Sequence, residues 1–419
     1  MAPPCPTSTS GRPGTPVIVL VNSDYQDTPY DQWLAGTGLD LHVLVAAEKR
    51  AGYAHLPNVR GFNSYRDNDA VAETAVRIGR RASAGFVFAK SEPDILRAAR
   101  ARAQLGWPGQ DVPSATAFRN KLVMKRTAAE AGIPVPPAVA VRQDADLTAF
   151  VEQHGFPVVV KPIYGSGSLG TSVLGDQHDL QRWLGHPFPD EMEAEAFVPG
   201  PMYLVDGLVT DSRVVLAYPS RYINDCLSFQ RGEFLGICML AGDHPLRERL
   251  VAFTHRLLQA LPTPRATTFH AEVFHTPSDE LVLCEVASRT GGARTRQMLE
   301  LATGVNVDRA WLRASVGQGT SGVDNQGVLP DGRPMFGQIL IYPKDGIFER
   351  PPATPRPSCV ADEKIVGRPG ERFYGGYKSG DTIASYVVTA ATEDMVEQGI
   401  REVADWFETE ASWKAVEAG

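Results

Sequence analysis

Three β-branched residues, Val158, Val159 and Val160, run into Lys161, and the chain then passes through Gly165-Ser166-Gly167-Ser168-Leu169-Gly170-Thr171, a loop with little side-chain bulk. Glycines let peptide N–H groups crowd round an anion, serines add hydroxyl donors, and an ammonium supplies a compact positive charge. The chemistry of such a loop is a phosphate cradle. The lysine precedes the glycines, unlike a Walker loop, and no GxGxxG spacing opens a helix. An ordinary glycine turn has the same composition, so the cradle needs support from elsewhere in the chain.

A second group lies in TFHAEVFHTPSDELVLCEVASRTGGAR, residues 268–294. A turn at Thr276 to Asp279 sets Glu272 and Glu285 on neighbouring strands, side by side. Adjacent carboxylates repel unless a cation sits between them, and magnesium favours carboxylate and phosphate oxygens. A solvated hairpin with incidental acids is the plainer alternative. Arg289 lies four residues beyond Glu285, on the same strand face, with Gly291-Gly292, Arg294 and Arg296 following. Guanidiniums suit carboxylate and phosphate ligands, though they serve equally as internal ion-pair partners. His270 and His275 flank Glu272 without an HExxH spacing, so His270 reads as pocket lining, not as a metal ligand. Cys284 faces away from Glu285 by strand alternation and reads as a buried structural residue. Arg221, Tyr222 and Arg231 fall in a segment that either closes over substrate or is plain surface.

The elements that must position these residues follow from periodicity. Short apolar runs (VIVLV, LHVLVAA, GFVFA) alternate with amphipathic stretches from Pro16 to about Pro113, the pattern of a small parallel βαβ sheet. A helix closed by Gly132 follows, then strands near Val139, Val158, Thr171, Glu195, Leu204 and Val214. A helix from Pro245 to Leu261, a strand pair around Phe269 and Leu283, and a last helix near Glu393 to Glu408 complete an α+β region. Residues 317–334 have a linker's composition, and 1–15 read as a disordered tail. The 419 residues are 43% hydrophobic, enough for a large core in two or three lobes. A net charge of −8 argues against nucleic-acid or anionic-membrane partners. No apolar run is long enough to cross a bilayer. Five scattered cysteines without a CxxC pair point to a reducing cytoplasm.

The ordered set Lys121, Lys161 with its glycine-serine loop, Glu195-Ala196-Phe197-Val198-Pro199-Gly200, Glu272, Glu285, Arg289 and Gly291-Gly292 resembles the ATP-grasp superfamily, and within it the carboxylate-amine ligases that include L-amino-acid (dipeptide) ligases. The resemblance runs from about Val17 to Phe407. It implies an α/β and α+β chain: an N-terminal parallel-sheet lobe at 16–115, a small ATP-grasp subdomain at 116–200, a large one at 201–320 and a C-terminal subdomain at 321–419. It also implies that Lys121 and Lys161 contact ATP phosphates and that Ser166, Gly167, Ser168, Leu169 and Gly170 form a lid over them. Glu195, Ala196, Phe197 and Val198 would meet the adenine, and Glu272 and Glu285 would bind Mg2+. Arg289 would steady the transferred phosphate, while His270, Gly291, Gly292, Arg294 and Arg296 would line the substrate side. Two departures stand out. Relatives carry an acid just after the hinge glycine to hold the ribose, where this chain has Pro201-Met202, leaving Asp206 as a substitute. They also carry Asn two residues after the second metal glutamate, where this chain has Ala287.

The reaction so implied is ligation of a small carboxylic acid to an amine through an acyl phosphate, releasing ADP and phosphate, with amino acids as substrates and a homodimer as an allowed assembly. A carboxylase or purine-pathway type of ligase is the alternative within the same chemistry, and an inactive nucleotide-binding regulator the alternative outside it.

Overall fold

The computed structural model describes residues 11–185, 191–319, 334–352 and 356–415. Four sheets organise them. The first is parallel, with strands Val59–Phe62, Asp40–Ala46, Pro16–Val21 and Phe86–Ala89 in that spatial order. Its central strand is buried along its whole length, which is why it reads as an unbroken apolar run.

Strands Ala138–Val141, Met192–Ala196, Val158–Pro162 and Ser172–Leu174 form a small antiparallel sheet, and Lys161 sits near the end of one of its two central strands. The largest sheet has eight strands in the order Leu281–Ala287, Thr267–His275, Met202–Thr210, Arg213–Tyr222, Leu235–Met239, Met335–Ile341, Ala384–Ala390 and Val360–Ile365. Its last three strands come from beyond residue 333, so most of the segment expected to form a C-terminal subdomain extends the large sheet. A three-stranded sheet of Glu371–Tyr374, Asp345–Arg350 and Ser412–Lys414 lies beside it, and helix Glu393–Glu410 packs on it through Val396, Ile400, Val403 and Phe407. The expected tail and linker lie largely outside the described residues. Among the described residues, no helix is long and apolar enough to cross a membrane.

The helical region after the first sheet is two helices, Val112–Arg119 and Lys121–Glu130, broken at Asn120. Asn120 is extended and caps the second helix by accepting from Val123 N–H. The break sets Lys121 at a helix start, where its side chain turns back toward the glycine loop.

The large sheet is closely packed where its functional strands cross. A Cβ on Gly207 would sit 2.0 Å from the Leu216 carbonyl oxygen and 2.4 Å from the Phe269 ring, so no side chain fits between these strands. Gly207→Ala is expected to destabilise the fold by about 1–3 kcal/mol, because the contact is with backbone and cannot relax by a rotamer change. Urea unfolding checks this, and an unchanged midpoint would contradict it.

Candidate functional site

A cavity of about 710 Å3 opens between the small sheet and the large one. Its walls include Lys121, Lys161, the loop residues Ser166 to Leu169, Glu272 and Glu285. Glu272 and Glu285 are direct cross-strand partners, as the hairpin spacing predicts. Lys121 Nζ lies 3.2 Å from Glu285 Oε2 and donates to the Gly165 carbonyl at 2.9 Å, which ties the carboxylate to the base of the glycine loop. Tyr222 Oη donates to Glu272 at 3.2 Å, and His270 Nε2 lies 3.4 Å from the same oxygen. Burial pushes Glu285 up, but Lys121, Lys161 and Arg289 outweigh it and hold the carboxyl at about 2. Glu285 is therefore ionised at neutral pH and kept so by cations.

Lys161 belongs to a buried array of alternating charge. Its Nζ lies 2.6 Å from Glu195 Oε1, Lys125 Nζ lies 2.7 Å from Glu195 Oε2, and Lys125 Nζ also lies 2.6 Å from Glu193 Oε1. Burial alone would discharge Lys161; Glu195, Cys284 and Glu193 together raise its pKa well above the usual lysine range. Strand pairing explains the arrangement, since Lys161 stands opposite Glu193, with Glu195 two residues along the same strand. Glu195 thus reaches the cavity as an anchor of Lys161.

Phe197, Val198 and Met202 give the cavity an apolar stretch of wall, whereas Ala196 and Gly170 are not among its lining residues. The glycine loop turns through left-handed backbone at Gly167, Ser168 and Gly170. Its Gly167 carbonyl accepts from Ser379 N–H at 2.9 Å. Ser379 also lines the cavity. Nothing local in the sequence marks it, because it comes from a turn more than two hundred residues away.

Several expectations need correction. Asp206 does not reach the cavity. It is 2% exposed and its Oδ1 lies 2.8 Å from His270 Nδ1, its cross-strand neighbour, so it holds His270 and is not available to a ribose. Burial would lower the His270 pKa, but Asp206 and Glu272 raise it to about 10. Gly291 passes over this pair, and a Cβ there would meet Asp206 Oδ1 at 2.7 Å and His270 Nδ1 at 2.8 Å. Cys284 does not face away from Glu285. The register slips between Glu272 and Val273, which leaves Cys284 as the extra residue of a β-bulge and turns it into the cavity wall. Arg294 is ion-paired with Asp362, and Arg296 lies 3.1 Å from Glu300 and 3.9 Å from Asp308, so both guanidiniums are engaged away from the cavity. Arg221 is similarly engaged, with Glu393 and Glu397, and His275 lies 2.7 Å from Asp279 in the hairpin turn.

Arg289 is ion-paired with Glu92, which also receives Arg119. Glu92 is a site residue that the sequence concealed, since Ser91-Glu92-Pro93 has the composition of any helix start. Glu92 brings the first lobe against the large sheet within reach of Glu285, whose field Arg289 also feels.

A magnesium ion fits this donor set. Two paired carboxylates face one cavity beside two lysines and offer the hard oxygen donors this ion prefers, and among the described residues there is no cluster of three or more metal-ligating side chains.

The sequence profile of the carbamoyl-phosphate synthase L chain ATP-binding domain matches residues 120–211. An L-arginine-specific L-amino acid ligase from Bacillus subtilis is 27% identical over 71% of this chain and 75% of the relative. A D-alanine–D-alanine ligase from Trichlorobacter lovleyi is 33% identical over 20% of this chain and 27% of its own. The fold matches that of the L-amino acid ligase from Bacillus licheniformis with a TM-score of 0.77, at 17% identity over 97% of this chain and 100% of that one. It also matches carboxyaminoimidazole ribonucleotide synthase from Aspergillus clavatus, complexed with ATP, with a TM-score of 0.69, at 16% identity over 95% and 99% of the two chains.

Lys125→Met removes the central cation from two buried carboxylates, which is expected to cost about 3–5 kcal/mol in urea unfolding. Adding Glu193→Gln should recover part of that loss, since it leaves Glu195 alone to share Lys161. Equal losses in the single and double variants would show that the array does not act as a unit.

Proposed function

From the membership of this chain in the ATP-grasp superfamily of ligases, we propose that it is an ATP-dependent carboxylate-amine ligase that activates an amino acid or a similar acid as an acyl phosphate and joins it to an amine. The observation that carries this reading is the meeting, in one cavity, of the paired Glu272 and Glu285 with Lys121, Lys161 and the glycine loop.

In this reading adenine lies against Phe197, Val198 and Met202, and the triphosphate runs under Ser166 to Gly170 toward the two lysines. Lys121 and Lys161 exchange part of their contact with Glu285 and Glu195 for phosphate oxygens, so the charge that develops during transfer meets cations already in place. Magnesium bound by Glu272 and Glu285 would neutralise phosphate oxygens there. The γ-phosphoryl group passes to a carboxylate oxygen of the acid, leaving ADP. The amine nitrogen then attacks the acyl carbon, phosphate departs, and the nitrogen loses a proton. Arg289, anchored by Glu92 and within the field of Glu285, would hold the acyl phosphate. His270, oriented by Asp206, keeps a positive charge beside Glu272 at the same end. Closure of the glycine loop protects the acyl phosphate from water.

Screening amino acids in pairs for ATP-dependent phosphate release tests the reading. Release that requires two amino acids and yields an amide supports it. ADP formation driven by bicarbonate, or none with any carboxylate, overturns it. Glu285→Gln should leave the fold intact and lower turnover by about a hundredfold or more, as loss of a comparable electrostatic contact does. Near-wild-type turnover in that variant would remove Glu285 from the metal site.

A further inference from the structure

A second cavity, of about 580 Å3, is lined by residues of the first lobe, of the large sheet and of helix Val307–Ser315. Its walls are mainly apolar, with Phe86, Phe88, Ile95, Trp311 and Val316 among them. One charged group reaches it from the inside. Arg102, on helix Glu92–Leu105, is 7% exposed and lines this cavity. Its Nε donates to the Gln110 carbonyl at 2.9 Å and its Nη1 to the Val87 carbonyl at 2.6 Å. Among the described residues no carboxylate lies within ion-pair distance of it. The charged pair at the rim, Arg265 and Asp211, is satisfied within itself at 2.7 Å and is solvent-exposed.

Buried guanidiniums are ordinarily paired, because two carbonyl dipoles do not replace the hydration of a full charge. The cost is visible in Arg102 itself. Burial brings its pKa down to about 10, against only a distant opposing pull from Asp111. An apolar chamber with one unneutralised guanidinium at its inner end has the form of a ligand pocket, in which an apolar body is enclosed and one polar contact sets its orientation. A guanidinium pairs best with a planar carboxylate, in bidentate geometry.

We propose that this cavity is a binding site for a small amphiphilic carboxylate, with the acid on Arg102 and an aromatic or branched apolar body against Phe88 and Trp311. It is separate from the ATP cavity, with which it shares no lining residue. The carbonyls gripped by Arg102 belong to segments that continue into the candidate site. The strand holding Val87 leads to Glu92, and the side chain of Gln110 donates to Ser288, next to Arg289.

The test uses the full-length protein with 3-phenylpropanoate and its uncharged amide as probes. The readout is the indole N–H resonance of Trp311, identified by its loss in Trp311→Phe. A saturable shift is expected, at least tenfold tighter for the acid than for the amide. Arg102→Met should abolish the preference for the acid. Ala314→Phe, which fills the chamber from its helix without touching Arg102, should abolish the shift for both probes, and it decides the matter if Arg102→Met fails to fold. No saturable shift with either probe, equal affinity for acid and amide in the wild type, or an unchanged shift in Ala314→Phe would each overturn the proposal. None of these outcomes bears on ligation, since the readout does not involve turnover.

Discussion

Two carboxylates held side by side on adjacent strands repel each other, and much of this protein can be understood as the answer to that repulsion. Glu272 and Glu285 are fixed in register by the hairpin that carries them, so they cannot separate. Cations come to them instead. Lys121 arrives because Asn120 breaks a helical segment in two, Lys161 because a strand of the small sheet ends beside the hairpin, and His270 because it lies two residues along the same strand from Glu272. Two of these cations also have a counter-charge outside the pair: Glu195 for Lys161 and Asp206 for His270. The result is a site in which acidic and basic side chains alternate and a polyphosphate finds donors already oriented.

The buried array behind Lys161 shows what this costs. Lys125, Glu193, Glu195 and Lys161 are all nearly sealed from water, and a hydrophobic quartet of similar volume would be at least as stable. Glu195 holds Lys161 charged against its burial, and Lys161 and Lys125 together hold Glu195 ionised. Glu193 is the exception, since burial outweighs the two lysines and raises its pKa. The array fixes the position of one ammonium at the mouth of the cavity, where an exposed lysine on a flexible stem would wander.

Much of this was legible in the residues. The apolar strand before Lys161, the glycine-serine loop and the facing glutamates are local patterns, and strand periodicity with a turn is enough to set them in space. What the sequence concealed depends on contacts that local rules do not see. Cys284 enters the wall because a bulge breaks the alternation on which its reading rested. Asp206 lies five residues after the Gly200-Pro201 pair, near the position a ribose acid would occupy, yet antiparallel pairing sets it against His270. Glu92 reads as a helix start, and only packing of the first lobe brings it to Arg289. Arg294 and Arg296 looked like substrate contacts because guanidiniums beside glycines suit anions, but Asp362, from a strand near the far end of the chain, takes the first of them.

The seams between lobes are not alike, and the difference bears on how such a site could open. The first lobe meets the large sheet through ion pairs with buried partners, Lys90 with Asp308 and Glu92 with Arg289, and through Gln110 on Ser288. Separating these surfaces would strand charges in a poorly hydrated interface. The glycine loop of the small sheet touches the rest through its carbonyls, Gly165 on Lys121, Gly167 on Ser379 and Thr171 on Gln230, and only the first of these meets a charged group. Water can replace the two uncharged contacts at little cost, because a backbone carbonyl loses little when it exchanges a neutral protein donor for a solvent one. The lowest-cost opening therefore lies on the loop side, and it exposes the phosphate-facing lysines while the paired glutamates, Arg289 and Glu92 keep their geometry.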